Sequence, residues 1–185
     1  MPDPEAVYLT EYDPAWPARF TAAAHWLRDL LDERWIGRIE HVGSTAIPGM
    51  IAKPIIDMFV EVPSFELALP NVVPVLTREG CEYFWRDDRP PGHMMFLRHA
   101  GPDGARDLHM HMAPPGHKLW ERLAFRDYVI AHPNRAAEYA ALKQELARRY
   151  PEDREAYTAG KGPLVRELTD LALSTESFHA RASRS

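Results

Sequence analysis

The pattern of apolar and polar residues predicts short strands in the first half of the chain and helices in the second. Apolar residues recur at helical spacing after Asp13 and Pro14, which predicts a first helix over 14–35. Strands are predicted from runs of β-branched and aromatic residues between turns, at 7–9, 38–42, 54–62, 81–86, 94–99 and 106–112. This order of elements indicates an α+β domain.

From residue 117 onward the pattern is helical, and each of three prolines fits the start of a helix. The predicted helices cover 117–131, 134–149, 152–159 and 164–173. An earlier, short helix is predicted to begin at a cap near Ser64 or Leu69 and to end near Gly80, with two prolines restricting it. Residues 1–175 are expected to form a single domain, and the polar residues 176–185 a flexible tail.

Composition favours a cytoplasmic protein. The 185 residues are 45% hydrophobic, which is enough for one substantial core. The single cysteine, Cys81, excludes an intramolecular disulfide, and its position in a predicted strand favours a buried packing role. We expect no signal peptide, because the first residues are polar, and no membrane association, because no apolar run approaches about 20 residues.

Charge narrows the class of ligand. The net charge is −5 and the pI about 6.0, with acidic and basic residues interspersed. General nucleic-acid binding is not expected, because such proteins usually carry a basic patch. A small-molecule or nucleotide ligand fits better, since two or three local cations suffice for it.

The strongest candidate chemistry lies between Gly43 and Asp57. A strand ends at Gly43-Ser44, a spacer with proline and glycine follows, and a second strand then begins with Asp57 near its start. Glycine lets the backbone approach a phosphate, and turn N–H groups with the Ser44 hydroxyl can bind its oxygens. A carboxylate on the strand can hold a divalent cation against the same phosphates. This layout suits phosphoryl or nucleotidyl transfer, with a nucleoside triphosphate as the candidate ligand.

The sequence HVGSTAIPGMIAKPIIDMFVEV at 41–62 resembles the GrpB family. Blocks at 7–20, 109–111, 123–128 and 157–161 extend the resemblance over nearly the whole chain. The resemblance implies a nucleotidyltransferase-like mixed sheet with an N-terminal helix and a C-terminal helical half. In some bacteria, domains of this family are fused behind dephospho-coenzyme-A kinases, with a proposed role in supporting folding of the kinase.

One residue departs from the nucleotidyltransferase pattern. Enzymes of that superfamily that use metals normally carry a second carboxylate two residues after the first, where this chain has Phe59. Strand periodicity places Asp57, Phe59 and Glu61 on one face, but Glu61 lies about 6–7 Å further along. A two-metal site is therefore not expected.

Asp107, His109 and His111 alternate along a predicted strand, so all three should face one side. We expect strand 106–112 to lie beside strand 54–62, which carries Asp57, and the four residues could then bind one divalent cation, Mg²⁺, Mn²⁺ or Zn²⁺. Asp57, His109 and His111 are also the catalytic candidates, because a histidine could accept a proton without a metal. The alternative is structural: one histidine buried against a backbone partner, and the others solvated.

Four cationic residues and one tyrosine complete the candidate ligand site. Lys53 follows the Gly-Ser turn, Arg126 lies on a predicted helix, and Lys143 lies in the apolar stripe of the next helix. Lys143 could extend outward to solvent or reach into a central cleft. Lys161 is four residues after Tyr157, where glycines are expected to interrupt the helices before a new N-terminus that favours anions.

Two functions remain open at this point. The first is a metal-assisted transferase that acts on a small molecule with a nucleotide as donor. The second is a nucleotide-binding or folding-support module without turnover. A weaker third possibility is a hydrolytic metal site built from aspartate and histidine.

Overall fold

A computed structural model describes residues 6–87 and 91–174. The predicted tail at 176–185 lies outside these residues. The strands are β1 (Ile39–Val42), β2 (Ile56–Glu61), β3 (Glu82–Arg86), β4 (His93–Arg98) and β5 (Leu108–Ala113). The α-helices are α1 (Trp16–Leu30), α2 (Phe65–Arg78), α3 (Arg122–Ala131), α4 (Pro133–Arg149) and α5 (Arg154–Leu173). The predicted mixed α+β fold is confirmed.

The five strands form one sheet in the order β1-β2-β5-β4-β3. Strands β2 and β5 are parallel, and the other neighbours are antiparallel. A parallel pair needs a long crossover, which here runs through α2, β3 and β4. The predicted pairing of strands 54–62 and 106–112 is confirmed, and it places Asp57 directly opposite His109.

Helices cover both faces of the sheet. Helices α1 and α2 pack on the first face, against a core that includes Leu27, Met58, Val72 and Met110. The second face meets the C-terminal half through Phe59, Ala113, Leu119 and other apolar residues. Beyond it, α3, α4 and α5 share a further apolar cluster with the loop after β1. No helix among the described residues is long and apolar enough to cross a membrane.

Several predicted boundaries are wrong, and local contacts explain them. Helix α1 ends at Leu30 instead of Trp35, because Leu31 is extended and the Asp32 side chain starts a turn by accepting from the Arg34 N–H. The predicted strand at 7–9 is reduced to an isolated bridge between Thr10 and Ala52.

The largest error concerns the last helix. Residues 152–159 and 164–173 belong to one continuous helix, α5, with Pro163 inside it. Packing favours this arrangement: Gly160 lies so close to α4 that a Cβ there would overlap the side chain of Leu146. The expected break around Lys161, and the anion-binding helix N-terminus after it, are therefore wrong.

Candidate functional site

The Gly43-Ser44 turn is built against Asp57. Gly43 has φ of 72°, in the left-handed region that glycine adopts most readily. A Cβ at this position would overlap Asp57 Oδ2 and lie 3.0 Å from Cγ. Glycine is thus required both by the backbone and by the carboxylate beside it. Ser44 begins a short 3₁₀ turn, Ser44–Ala46, immediately afterwards.

Asp57 and His109 form the centre of the site. His109 Nδ1 hydrogen-bonds Asp57 Oδ1 at 2.8 Å, across the parallel register of β2 and β5. Burial acts to raise the pKa of Asp57, but the bond from His109 and nearby positive charge outweigh it, so the pKa lies below its usual value. The Asp57 side chain is 31% exposed and that of His109 only 9%. The carboxylate therefore faces the site, and the imidazole supports it from behind.

His109 has a second, unused nitrogen. Within the described residues its Nε2 is buried and has no hydrogen-bond partner. Because an ionised carboxylate only accepts, Nδ1 carries the proton of the bond to Asp57. This bond fixes the orientation of the imidazole.

His111 is near His109 but is used differently. Its Nδ1 hydrogen-bonds His93 Nε2 at 2.9 Å, and its ring meets Phe59 edge to face. Burial lowers the pKa of His111 well below its usual value, so the ring is neutral. Phe59 itself is 2% exposed and packs against Trp120. Phe59, which stands where metal-using nucleotidyltransferases carry a second carboxylate, is therefore part of an apolar cluster.

Asp107 does not join the site. Its carboxylate accepts from Arg98 Nε at 3.1 Å and from the Ala100 N–H at 3.0 Å. The Arg98 guanidinium lies over Trp26 of α1, on the first face of the sheet. Asp107 precedes the first residue of β5, so strand alternation does not hold its side chain on the His109 side.

The predicted four-residue metal set does not fit this geometry. Asp107 is paired elsewhere, and His111 is bonded to His93. In the described parts of the chain, no group of three or more His, Cys, Asp or Glu side chains is arranged to hold a metal ion. Of the four residues, Asp57 is the one whose carboxylate lies at the Gly43 turn. Its Oδ1 bonds His109, and its Oδ2 is next to Gly43.

Lys143 reaches the Gly-Ser turn from α4. Its Nζ donates to Ser44 Oγ at 3.0 Å and to the Ile51 carbonyl. The residue is 1% exposed, and burial together with the charge of Lys161 lowers its pKa to about 7. Tyr139 lies beside it, with its ring centre 4.7 Å from Lys143 Nζ, and burial raises the pKa of Tyr139 to about 12. Of the two orientations expected for Lys143, the inward one is confirmed.

Two further lysines surround Tyr157 of α5. Lys161 Nζ lies 4.2 Å and Lys53 Nζ 5.4 Å from the centre of its ring. Tyr157 is 1% exposed, and burial raises its pKa. Lys53 also lowers the pKa of Asp57 through its charge. The sequence has four lysines, and all except Lys118 meet at this site.

Arg126 has a supporting position behind the turn. Its guanidinium donates to Glu40 Oε2 at 2.9 Å, to the His41 carbonyl at 2.7 Å and to Asp127 Oδ1 at 2.9 Å. These contacts join α3 to β1, and the neighbouring Asp127 is held in an ion pair with Arg126. His41 is also structural: its ring stacks on Phe20, and burial lowers its pKa to about 4.

Sequence reasoning missed Tyr139 and His93 as members of the site. Tyr139 had a usable signal, because it precedes Lys143 by four residues and must share its helix face. His93 had none, since it stands at the end of a turn and pairs with His111 only through the register of β4 and β5.

Comparison with known proteins identifies the family. A model of the GrpB protein family matches residues 6–171. A UPF0157 protein of Pseudomonas aeruginosa is 41% identical over 93% of this chain and 70% of its own length. A dephospho-CoA kinase of Mycolicibacterium paratuberculosis is 30% identical over 87% of this chain, which spans 44% of that protein. The crystal structure of GrpB from Enterococcus faecalis superposes with a TM-score of 0.79, at 32% identity, covering 90% of this chain and 97% of that one. The chain belongs to the GrpB family.

Proposed function

We propose that this protein binds a phosphate ester between the Gly43-Ser44 turn and helices α4 and α5, and transfers a phosphoryl or nucleotidyl group from it to a small molecule. A nucleoside triphosphate is the candidate donor. The observation that carries the proposal is the cluster of Lys53, Lys143 and Lys161. Burial, and after it the charge of Lys161, lowers the pKa of Lys143, and a bound polyanion would offset both effects.

Asp57 gives the site its second component. A divalent cation, Mg²⁺ or Mn²⁺, is commonly held by one or two carboxylates together with substrate phosphates. The exposed side of Asp57 suits that arrangement, and such an ion would neutralise phosphate charge. His109 orients the carboxylate by holding its other oxygen.

Calorimetric titration tests the proposal. Tripolyphosphate, ATP and dephospho-coenzyme A are titrated with and without Mg²⁺, into the natural chain and into Lys143→Met. A lost charge-assisted hydrogen bond of about 1.5–3 kcal/mol predicts a fall in affinity of roughly 10- to 100-fold. Lys118→Met is the matched control, because Lys118 is exposed and outside the site, and it should keep its affinity. Absence of heat with all three compounds would contradict the proposal.

The alternative is a binding or folding-support module without turnover. Its support is the dephospho-CoA kinase relative, since the matching region occupies less than half of that protein. Both functions predict ligand binding, so turnover separates them. Release of phosphate or pyrophosphate that depends on Asp57 and on Lys143 supports the transferase; binding without release supports the module.

A further inference from the structure

The contacts around Ser44 have a chemical use beyond holding a phosphate. Lys143 Nζ lies 3.0 Å from Ser44 Oγ and 4.7 Å from the centre of the Tyr139 ring. Ser44 is half-buried, whereas Lys143 is almost fully buried. A half-buried serine with an enclosed amine beside it is the arrangement in which a neutral lysine serves as the base for a nucleophilic hydroxyl.

We propose that Ser44 is a nucleophile, activated by Lys143, that forms a covalent bond to the phosphorus of the bound ester. Ser44 Oγ loses its proton to the neutral amine of Lys143 while the Oγ–P bond forms. The bond from phosphorus to the leaving oxygen breaks, and that oxygen takes the proton from the Lys143 ammonium. An acceptor hydroxyl then attacks the same phosphorus and gives its proton to the neutral Lys143 amine. The Ser44 Oγ–P bond breaks, and Ser44 Oγ takes that proton from the Lys143 ammonium.

The surroundings of Lys143 favour the neutral amine. Its Nζ faces Ser44 and the Ile51 carbonyl, and it lies 4.7 Å from the centre of the Tyr139 ring on its own helix. From α5 it meets the charge of Lys161, next to Tyr157. Lys53 lies on the same tyrosine, and Asp57 is the nearby acid of β2. In the absence of a bound polyanion, a pKa near 7 leaves about half of Lys143 as a free base at pH 7.

The proposal rests on the proposed function only for the identity of the electrophile. An uncharged alkyl fluorophosphonate therefore tests it separately, because the reagent does not need the anion site. Its reaction forms the Ser44 Oγ–P bond, releases fluoride and passes the proton to Lys143. Intact-mass analysis and peptide mapping of the full chain should show one label, on Ser44, that is absent in Ser44→Ala. The rate should rise with pH through about 7 and then level off.

Two variants of Lys143 separate its role as a base from the effect of its positive charge. Lys143→Arg keeps a cation but cannot accept the proton, and Lys143→Met removes both. General-base catalysis contributes about 10²–10⁴-fold, so both variants should label at least about 100-fold more slowly. Lys143→Arg should nonetheless bind tripolyphosphate better than Lys143→Met does. Labelling of the natural chain no faster than Ser44→Ala, or labelling that either Lys143 variant leaves unchanged, would overturn the proposal, whereas tripolyphosphate binding would still decide the proposed function by itself.

The variant Ser44→Cys gives a second test of activation by Lys143, in case another variant folds poorly. Ser44→Cys is nearly isosteric, and the natural Cys81 gives little background because burial raises its pKa to about 11. Iodoacetamide should alkylate the introduced thiol at a rate that depends on Lys143, falling at least about tenfold when Lys143→Met is added. Equal rates with and without Lys143 would show that the amine does not activate this position and would overturn the proposal.

Discussion

The two faces of the sheet bury different kinds of side chain. The first face holds an apolar core between β2, β5, α1 and α2, with Met58, Val72 and Met110 fully buried. The second face includes His93, His109 and, from α4, Lys143, which are three of the four buried polar or charged residues among those described. One face is thus built for stability, and the other gives up apolar contact to hold polar groups.

Cations on the two faces differ in the same way. Arg98, on the first face, is paired with the carboxylate of Asp107 and stacked on Trp26. Lys143 donates its two hydrogen bonds to uncharged oxygens and is repelled by Lys161. A buried charge without a carboxylate partner lowers stability. This difference is what we expect if the first face is complete by itself and the second is completed by an anionic ligand.

We expect Leu27→Ala to give the largest difference between the two faces, because it should lower stability without changing ligand affinity. This residue of α1 is fully buried in the first core, and Leu→Ala changes at such sites cost about 2–5 kcal/mol. We expect urea unfolding of Leu27→Ala to show a loss of that size, while tripolyphosphate affinity of the folded protein stays within about twofold. A loss of affinity at temperatures where the variant is fully folded would show that the two faces are coupled.

A smaller effect is expected at two glycines that both have positive φ. Gly43 and Gly49 have φ of 72° and 76°, and a non-glycine residue at positive φ costs about 1–2 kcal/mol. Gly43 also has ψ of −171°, a combination that is almost exclusive to glycine. A Cβ at Gly49 meets nothing within 4 Å, whereas one at Gly43 overlaps Asp57. Both Gly→Ala variants should therefore lose about 1–2 kcal/mol in urea unfolding, and Gly43→Ala somewhat more.

Ligand binding should separate the two glycine variants further. Gly43→Ala should displace Asp57 and weaken tripolyphosphate binding by tenfold or more, and Gly49→Ala should leave it unchanged. Equal affinities in the two variants would mean that the turn and the carboxylate do not act together.

The first face and the pairing of β2 with β5 were within reach of the sequence. Alternation in both strands predicted that Asp57 and His109 share a face, and the parallel register confirms it. Alternation failed for Asp107, because this residue lies just before β5, where its carboxylate pairs with Arg98 across the β4–β5 connection. Such a contact depends on the end of a strand, which periodicity does not fix.

Helical packing limited prediction of the second face. The sequence allowed Lys143 to point either to solvent or into the protein. Its inward direction depends on the hydrogen bond to Ser44, which is distant in sequence. The continuity of α5 through Pro163 depends on Gly160 fitting against Leu146 of another helix. Local sequence favoured a break there, and a contact between helices overruled it.

The smallest effect we predict concerns the pH dependence of stability on the second face. A lysine in the unfolded chain has a pKa near 10.4, and that of Lys143 falls to about 7 in the fold. Between these values the unfolded chain binds the proton that the folded chain has lost, so this residue makes stability rise with pH. The calculated increase from pH 7 to pH 8 is about 1 kcal/mol.

Lys143→Met isolates this contribution. Its free energy of unfolding, measured in urea at pH 7 and pH 8, should lack the increase that the natural chain shows, and the variant should be more stable than the natural chain at pH 7. Lys118→Met should keep the full increase, because Lys118 is exposed. If the natural chain and Lys143→Met had the same pH dependence, Lys143 would be as fully protonated in the fold as an ordinary lysine. The second face would then stabilise its cations without a ligand, as the first face does with Arg98.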